Sequence, residues 1–311
     1  MQDAPTDTDT DTDTDTDTHP DCARATDPTA LLHSAFYRFV PLRNPPAAAE
    51  ALRLVARGLL GLHGSIVVAA EGVNGTVAGP SAVVIAFERA LQQVDLIDAA
   101  LRGMRFKHSA CRTPPFARMK VSVKPEIVAL GLPTAAAGIG DAVLPPPDEH
   151  DASHLSPAAW RALLARDDVV LLDNRNHFEY RLGHFRGAVD PGVHHFRDFV
   201  AYVQAQAPAW RAAHRPVAMY CTGGIRCDKT APWLRSLGLQ VHQLDGGVLN
   251  YFQQRDDAHH DWQGECFVFD KRIALDTGLC ETATTAERVF DPAHPDEAWR
   301  LQRARRLDGA R

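Results

Sequence analysis

One cysteine in this chain stands where its thiol is expected to ionise. Cys221 follows an apolar run at 216–220 that predicts a strand, and a helical pattern begins by about residue 228. Adjacent glycines between them let successive backbone N–H groups point at one anion near a helix N-terminus, which lowers a thiol pKa. We therefore predict a nucleophilic thiolate at Cys221, with Arg226 as its cationic partner. The loop between them consists of Thr222, Gly223, Gly224 and Ile225.

Other polar and sulfur-bearing residues have less specific surroundings. Cys227 directly follows the loop, and it is either a resolving thiol for Cys221 or a cysteine that packs at the start of a helix. We predict that Asp173 and Arg175 form an ion pair at a sheet edge. Cys266 lies in an apolar segment and predicts a core position.

Composition indicates a globular chain of two domains, because 311 residues exceed the usual size of one core. The hydrophobic fraction is 45% and the charged fraction 23%. Residues 1–28 hold nine Asp and one Arg, a net charge of −8, so the remaining 32 basic and 30 acidic residues give +2. Six scattered cysteines fit no disulfide scaffold. We expect a cytoplasmic protein with no membrane segment.

Five regions are predicted along the chain. The first, residues 1–29, alternates Thr and Asp and is expected to be a disordered tail. The others are an N-terminal domain at 30–130, a proline-containing linker at 131–150, an α/β domain at 151–261 and a C-terminal extension at 262–311.

The N-terminal domain is predicted to be ferredoxin-like, with the order β-α-β-β-α-β. Strands are expected at 35–42 and 65–73, and a last strand within 118–130. Helices are expected at 46–62 and from 81 to about 94. Asn74-Gly75 is typical of a two-residue hairpin turn.

The second domain alternates strands and helices, which predicts a parallel sheet. Its strands are expected at 169–172, 216–220 and 239–244, with helices from 157 to about 165, at 194–206 and up to 236. The Cys221 loop then lies beyond the carboxyl end of a strand, where open α/β sheets commonly bind ligands. The fold class is thus a combination of α+β and α/β domains.

Several segments resemble known proteins. The Cys221 loop and four other segments resemble a rhodanese domain: Leu172-Asp173-Asn174-Arg175, Glu179-Tyr180, Gly183-His184-Phe185-Arg186-Gly187-Ala188 and Leu244-Asp245-Gly246-Gly247. The whole set resembles the TrhO family (also called YceA), two-domain tRNA uridine-34 hydroxylases, over about 35–274. The segments that match it are 70–76, 221–227, 245–251 and 262–270.

This resemblance implies oxygen-dependent hydroxylation of tRNA uridine 34 at C5, giving 5-hydroxyuridine, with Cys221 as the active-site cysteine. Molecular oxygen would be the co-substrate, and the electron donor is unknown. The chain has no fingerprint for flavin, haem or nicotinamide. One hypothesis for the chemistry is addition of the Cys221 sulfur to uracil C6, which makes C5 electron-rich.

The predicted partner is the anticodon loop of tRNA. Its phosphates would meet basic residues, and Phe106 and Phe116 would offer stacking surfaces; the alternative is a solvated basic face with two core phenylalanines. The candidate basic residues are Lys107, Arg112, Arg118, Lys120, Lys124 and Lys229.

Two other functions stay open from the sequence. One is a rhodanese-type sulfurtransferase that carries a persulfide on Cys221, and the other is a non-catalytic tRNA-binding module. The C-terminal segment departs from the family, because Cys280 stands alone where many members have clustered cysteines suited to metal. No metal site is therefore predicted.

Overall fold

A computed structural model describes residues 31–93, 97–112, 114–132, 151 and 153–308. The predicted tail at 1–29, most of the predicted linker (133–150), residue 152 of the predicted second domain and the last residues of the chain lie outside this range. The described residues form two sheet domains joined face to edge, with a C-terminal segment packed on the second.

The first domain is one five-stranded sheet with two helices on one face. Asn44 caps the first helix by accepting from the Ala47 amide at 3.1 Å, and two prolines follow it in the first turn. The sheet order is β4-β1-β3-β2-β5, antiparallel except where β5 joins β2. The elements are β1 (Leu31–Phe39), α1 (Pro45–Arg57), β2 (His63–Ala69), β3 (Gly72–Gly79), α2 (Ser81–Leu91), β4 (Phe106–Cys111) and β5 (Met119–Val123).

The ferredoxin-like order is present, but two of its predicted details are wrong. The fourth strand is β4, whose apolar alternation is broken because His108, on the helix face, is polar and lies 2.7 Å from Glu88 of α2; the predicted last strand is the additional edge strand β5. The hairpin turn is at 70–71, not at Asn74-Gly75. Gly75 lies inside β3, where glycine is required because a Cβ would meet the Phe36 ring at 2.6 Å.

Side-chain alternation gives this sheet two different faces. Phe36, Ile66 and Val121 point into the core formed with α1 and α2. Tyr37 and Lys107 point the other way, toward the second domain. An uncovered sheet face is thereby available as one wall of an interdomain cavity.

The second domain has the predicted parallel sheet, in the order β6-β10-β9-β7. Its central strand β9 is buried at every position, as expected for a strand covered on both faces. The elements are β6 (His154–Leu155), α3 (Pro157–Leu164), β7 (Val170–Asp173), α4 (His177–Leu182), β8 (Gly183–Phe185), α5 (Phe199–Ala212), β9 (Val217–Tyr220), α6 (Ile225–Ser236), β10 (Val241–Leu244) and α7 (Gly247–Gln254).

The C-terminal segment is folded onto this domain. Its first strand pairs with β8, and Phe267 and Phe290 pack on Phe178 of α4. Cys266 is fully buried, so its predicted core position is confirmed. The segment comprises β11 (Trp262–Gly264), β12 (Cys266–Phe267), β13 (Ala274–Leu275), α8 (Ala286–Val289) and α9 (Pro295–Asp308).

Candidate active site between the two domains

The Cys221 loop turns directly from strand β9 into helix α6. Gly224 has φ +99°, a conformation that favours glycine, and its amide donates to Cys221 Sγ at 3.2 Å. The helix begins at Ile225, so Arg226 belongs to its first turn and not to the loop. Cys221 therefore lies at a helix N-terminus, as the sequence predicted.

Opposing effects set the pKa of Cys221. Burial alone would raise it, but the Cys227 thiol donates to the sulfur, Arg226 adds positive charge, and the amides of Cys227 and Arg226 donate as well. The net result is a pKa lowered to about 6, which confirms the predicted direction. The Cys221 sulfur is thus mainly a thiolate at neutral pH.

Cys227 has the opposite character. Burial, followed by the neighbouring Cys221 sulfur, raises its pKa well above that of an ordinary thiol. Cys227 therefore stays protonated and acts as a hydrogen-bond donor to Cys221. Its possible role as a resolving thiol stays a prediction.

Arg226 is held by a buried carboxylate that sequence analysis did not single out. Glu179 of α4 is fully buried and accepts from both terminal nitrogens of Arg226, at 2.7 and 2.8 Å. Such bidentate pairs fix the guanidinium in place. Thr222 Oγ1 lies 3.4 Å from both partners. The only sequence signal for Glu179 was its place in the rhodanese-like motif.

The predicted ion pair between Asp173 and Arg175 is confirmed behind this loop. Both side chains are fully buried, and Arg175 Nη2 lies 2.6 Å from Asp173 Oδ2. Arg175 also donates to the Gly183 carbonyl at 2.6 Å. The pair therefore holds β7 against β8, which is a structural role.

The first domain supplies two side chains to the loop. Lys107 Nζ donates to the carbonyls of Gly223 and Gly246, and it lies 5.2 Å from the centroid of the Tyr37 ring. Burial lowers the pKa of Lys107, although Asp228 and Cys221 oppose this. Lys107 was predicted to bind tRNA; it lies inside the site against the thiolate loop, and its contact with RNA stays a prediction.

Tyr37 joins a polar network that the sequence did not reveal. Its hydroxyl donates to Asp228 Oδ2 at 2.8 Å, and His154 Nε2 lies 2.9 Å from the other oxygen of Asp228. Burial alone would lower the pKa of His154, but its bond to Asp228 raises the pKa overall. The network joins β1, α6 and β6 beside the loop.

The prediction that Lys229 contacts tRNA is wrong. Lys229 is buried, and its ammonium lies 2.8 Å from Glu71, 2.5 Å from Glu126 and 2.9 Å from the Val128 carbonyl. All three partners belong to the first domain. Since α6 begins at the Cys221 loop, this ion pair ties the first domain to the helix that carries the site.

A cavity of about 440 Å³ lies between the domains. Its walls include Cys221 and Arg226 from the second domain and Tyr37, Asn74 and Lys107 from the first. Cys221 is among the lining residues, but it has no solvent-accessible surface in this structure. A molecule that reaches the thiolate from the cavity must therefore displace the atoms that cover the sulfur, and the cavity volume suits a small ligand or a nucleobase.

The remaining predicted RNA contacts divide between surface and core. Lys120 pairs across the sheet edge with Ser65, which lines the cavity. Phe106 is half-buried against the first core and does not line the cavity, which favours the alternative of a core phenylalanine, whereas Phe116 lines the cavity. The exposed basic residues are Arg112, Arg118, Lys120 and Lys124; their contacts with RNA stay predictions.

Two features are absent from the described part of the chain. No group of three or more His, Cys, Asp or Glu side chains within them is placed to hold a metal ion. No helix in the same part of the chain is long and apolar enough to span a bilayer.

Comparison with known proteins agrees with this architecture. Residues 32–127 match the UPF0176 acylphosphatase like domain, and residues 156–254 match the Rhodanese-like domain. Fold and site together define a two-domain protein of the rhodanese class, with its cysteine loop facing an acylphosphatase-like partner domain.

Proteins named tRNA uridine(34) hydroxylase are similar over nearly the whole described chain. The one from Bradyrhizobium diazoefficiens is 40% identical over 256 residues, which are 82% of this chain and 95% of that protein. The one from Nitrobacter hamburgensis is 40% identical over 269 residues (85% and 98%), and the one from Deinococcus radiodurans is 42% identical over 250 residues (80% and 77%). This chain belongs to the tRNA uridine(34) hydroxylase family.

Proposed function

We propose that this protein hydroxylates uridine 34 of tRNA at C5, forming 5-hydroxyuridine in a monooxygenase-type reaction. Molecular oxygen is the co-substrate: one oxygen atom enters the base, and a two-electron donor reduces the other to water. The observation that carries the proposal is the thiolate of Cys221, with a pKa of about 6, on the wall of an interdomain cavity. The choice of uridine 34 of tRNA as the substrate rests on the family to which the chain belongs.

The geometry supports a nucleobase as the group that enters the cavity. An anticodon base must leave its stack before chemistry can reach its ring. Exposed cations near the edge strand, Lys120 and Lys124, are suited to the flanking phosphates. The base then meets a sulfur nucleophile on one wall and the polar side chains of Asn74 and Lys107 on the opposite one.

Addition of the Cys221 sulfur to uracil C6 is the proposed first step. A new S–C6 bond places electron density on C5, where the oxygen atom is delivered. Loss of the C5 proton and release of the sulfur then restore the aromatic base. A thiolate that is already ionised at neutral pH needs no separate base for this attack.

The test is nucleoside analysis of tRNA from cells that lack the gene. We expect 5-hydroxyuridine to disappear, to return with the wild-type gene and with Cys280→Ala as the matched control, and to stay absent with Cys221→Ala. In a purified reaction, isotopically labelled oxygen should enter the product. Full activity of Cys221→Ala would refute the role of this thiolate.

The same experiment tests the alternatives. A sulfurtransferase is favoured by the backbone amides that converge on the Cys221 sulfur, because they would equally stabilise a persulfide. That function predicts loss of a thiolated base in the mutant cells. An unchanged nucleoside profile would indicate a non-catalytic tRNA-binding module.

A further inference from the structure

Phe269 is an exposed aromatic side chain at the catalytic cavity. It follows the buried pair Phe267 and Val268, yet 60% of its surface is open to solvent. Single exposed apolar residues are common and need no explanation by themselves. The position of this one is informative, because the ring lines the same cavity as Cys221 and Arg226.

The covered part of the ring has well-defined neighbours. The guanidinium carbon of Arg226 lies 5.8 Å from the ring centroid. Phe267 meets the ring edge to face, with centroids 4.9 Å apart and planes at 87°. Arg226 is itself fixed by Glu179, so the ring rests on an immobile cation and leaves its remaining surface free.

The backbone that carries Phe269 is also restrained. The Val268 amide donates to the Ile273 carbonyl at 2.8 Å and closes the turn. Within the turn, Arg272 and Asp270 form a nearly buried ion pair at 2.7 Å. The Lys271 amide donates to the Pro115 carbonyl of the first domain at 3.1 Å. The backbone that positions the ring is therefore ordered before any ligand arrives, which reduces the entropy lost on binding.

A flat ring backed by a cation and open on its outer side is suited to stacking on a nucleobase. When one base is turned into the cavity, its neighbours in the loop are brought to the cavity mouth. We propose that Phe269 stacks on a base adjacent to uridine 34 and thereby holds the anticodon loop open. This inference rests on the proposed function and adds a positioning residue to it.

Binding of a fluorescent anticodon stem–loop RNA measures the effect directly. Because stacking on one base accounts for a large share of single-strand affinity, Phe269→Ala should bind about 5- to 150-fold more weakly. Phe269→Trp and Phe269→Tyr should bind like the wild type, whereas Phe269→Leu, apolar but not aromatic, should resemble Phe269→Ala. The matched control is Trp299→Ala, since Trp299 is 41% exposed but does not line the cavity.

Abasic RNAs distinguish stacking from a structural effect on Arg226. In three RNAs, the base 5′ of uridine 34, the base 3′ of it, or the target base is removed. If Phe269 stacks on a neighbour, removing that neighbour should abolish the effect of Phe269→Ala, giving non-additive losses. Additive losses at both neighbours, coupling only to the target base, or unchanged binding by Phe269→Ala would each overturn the inference.

These measurements do not depend on turnover. If the wild-type protein forms no 5-hydroxyuridine, the proposed function fails while coupling between Phe269 and a flanking base is still measured. If hydroxylation is confirmed and the coupling is absent, only the role of Phe269 fails. Where Phe269→Ala is active, we expect a raised KM with little change in kcat at saturating tRNA.

Discussion

Replacing Cys227 by alanine tests how the Cys221 thiolate is stabilised. A pKa lowered from 9.0 to about 6 corresponds to about 4 kcal/mol in favour of the thiolate. The Cys227 thiol is the strongest of the effects that lower this pKa. Because a hydrogen bond to a charged group contributes on the order of 1.5 kcal/mol, its loss should raise the pKa by about one, to about 7.

At pH 7 this change alters the population of the reactive form. The thiolate fraction should fall from about nine in ten to about one half, since the pH would then equal the pKa. Ultraviolet absorbance of the thiolate, followed against pH and referenced to Cys221→Ala, gives both midpoints. Cys227→Ser is the matched control, because its hydroxyl keeps a donor at nearly the same position and should keep the midpoint low.

Two outcomes would refute this account. A wild-type midpoint near 9 would mean that burial fully offsets the donors around Cys221. An unchanged midpoint in Cys227→Ala would mean that the neighbouring thiol does not contribute, and that Arg226 and the backbone amides are sufficient.

Three further predictions concern stability and RNA binding. Glu179→Gln leaves the charge of Arg226 without its partner and should lower the free energy of unfolding by about 3–5 kcal/mol in urea titrations; a stable variant would contradict the pairing. Because folding lowers the pKa of Cys221, the free energy of unfolding of the wild type relative to Cys221→Ala should rise by about 1.4 kcal/mol between pH 5 and 7. A fall over this pH range would contradict the lowered pKa. Lys120→Ala and Lys124→Ala should each reduce the salt slope of tRNA binding by about 0.7, the value for a phosphate of a single strand, unlike Arg57→Ala in α1 on the opposite face of the sheet.

Local patterns were sufficient to predict the two-domain fold and the Cys221 loop. Strand β9 was recognisable because a strand buried at every position has an unbroken apolar sequence. The loop was recognisable because two glycines closely follow a cysteine at the end of that strand. Strand β4 was missed because its helix face carries the polar His108, which bonds to Glu88, so the apolar alternation that marks a strand is broken.

The parts of the site that depend on distant contacts could not be predicted. Lys229 and Lys107 look alike in sequence, and only the packing of the domains separates a buried interface lysine from one that touches the loop. Tyr37 meets Asp228 across 191 positions of the chain, so no local signal joins them. Phe269 belongs to the family-like segment 262–270, but its exposure at the cavity follows from tertiary structure.

The ion pair of Lys229 with Glu71 has a consequence for any attempt to dissect the molecule. Neither domain alone encloses the cavity, because the second domain carries Cys221 and the first domain supplies the opposite wall. In an isolated rhodanese domain, the Lys229 ammonium would lose its carboxylate partner Glu71, and Cys221 would no longer be covered by the first domain. Gene fission, domain grafting or shuffling with other rhodaneses should therefore yield a reactive thiol without a substrate chamber.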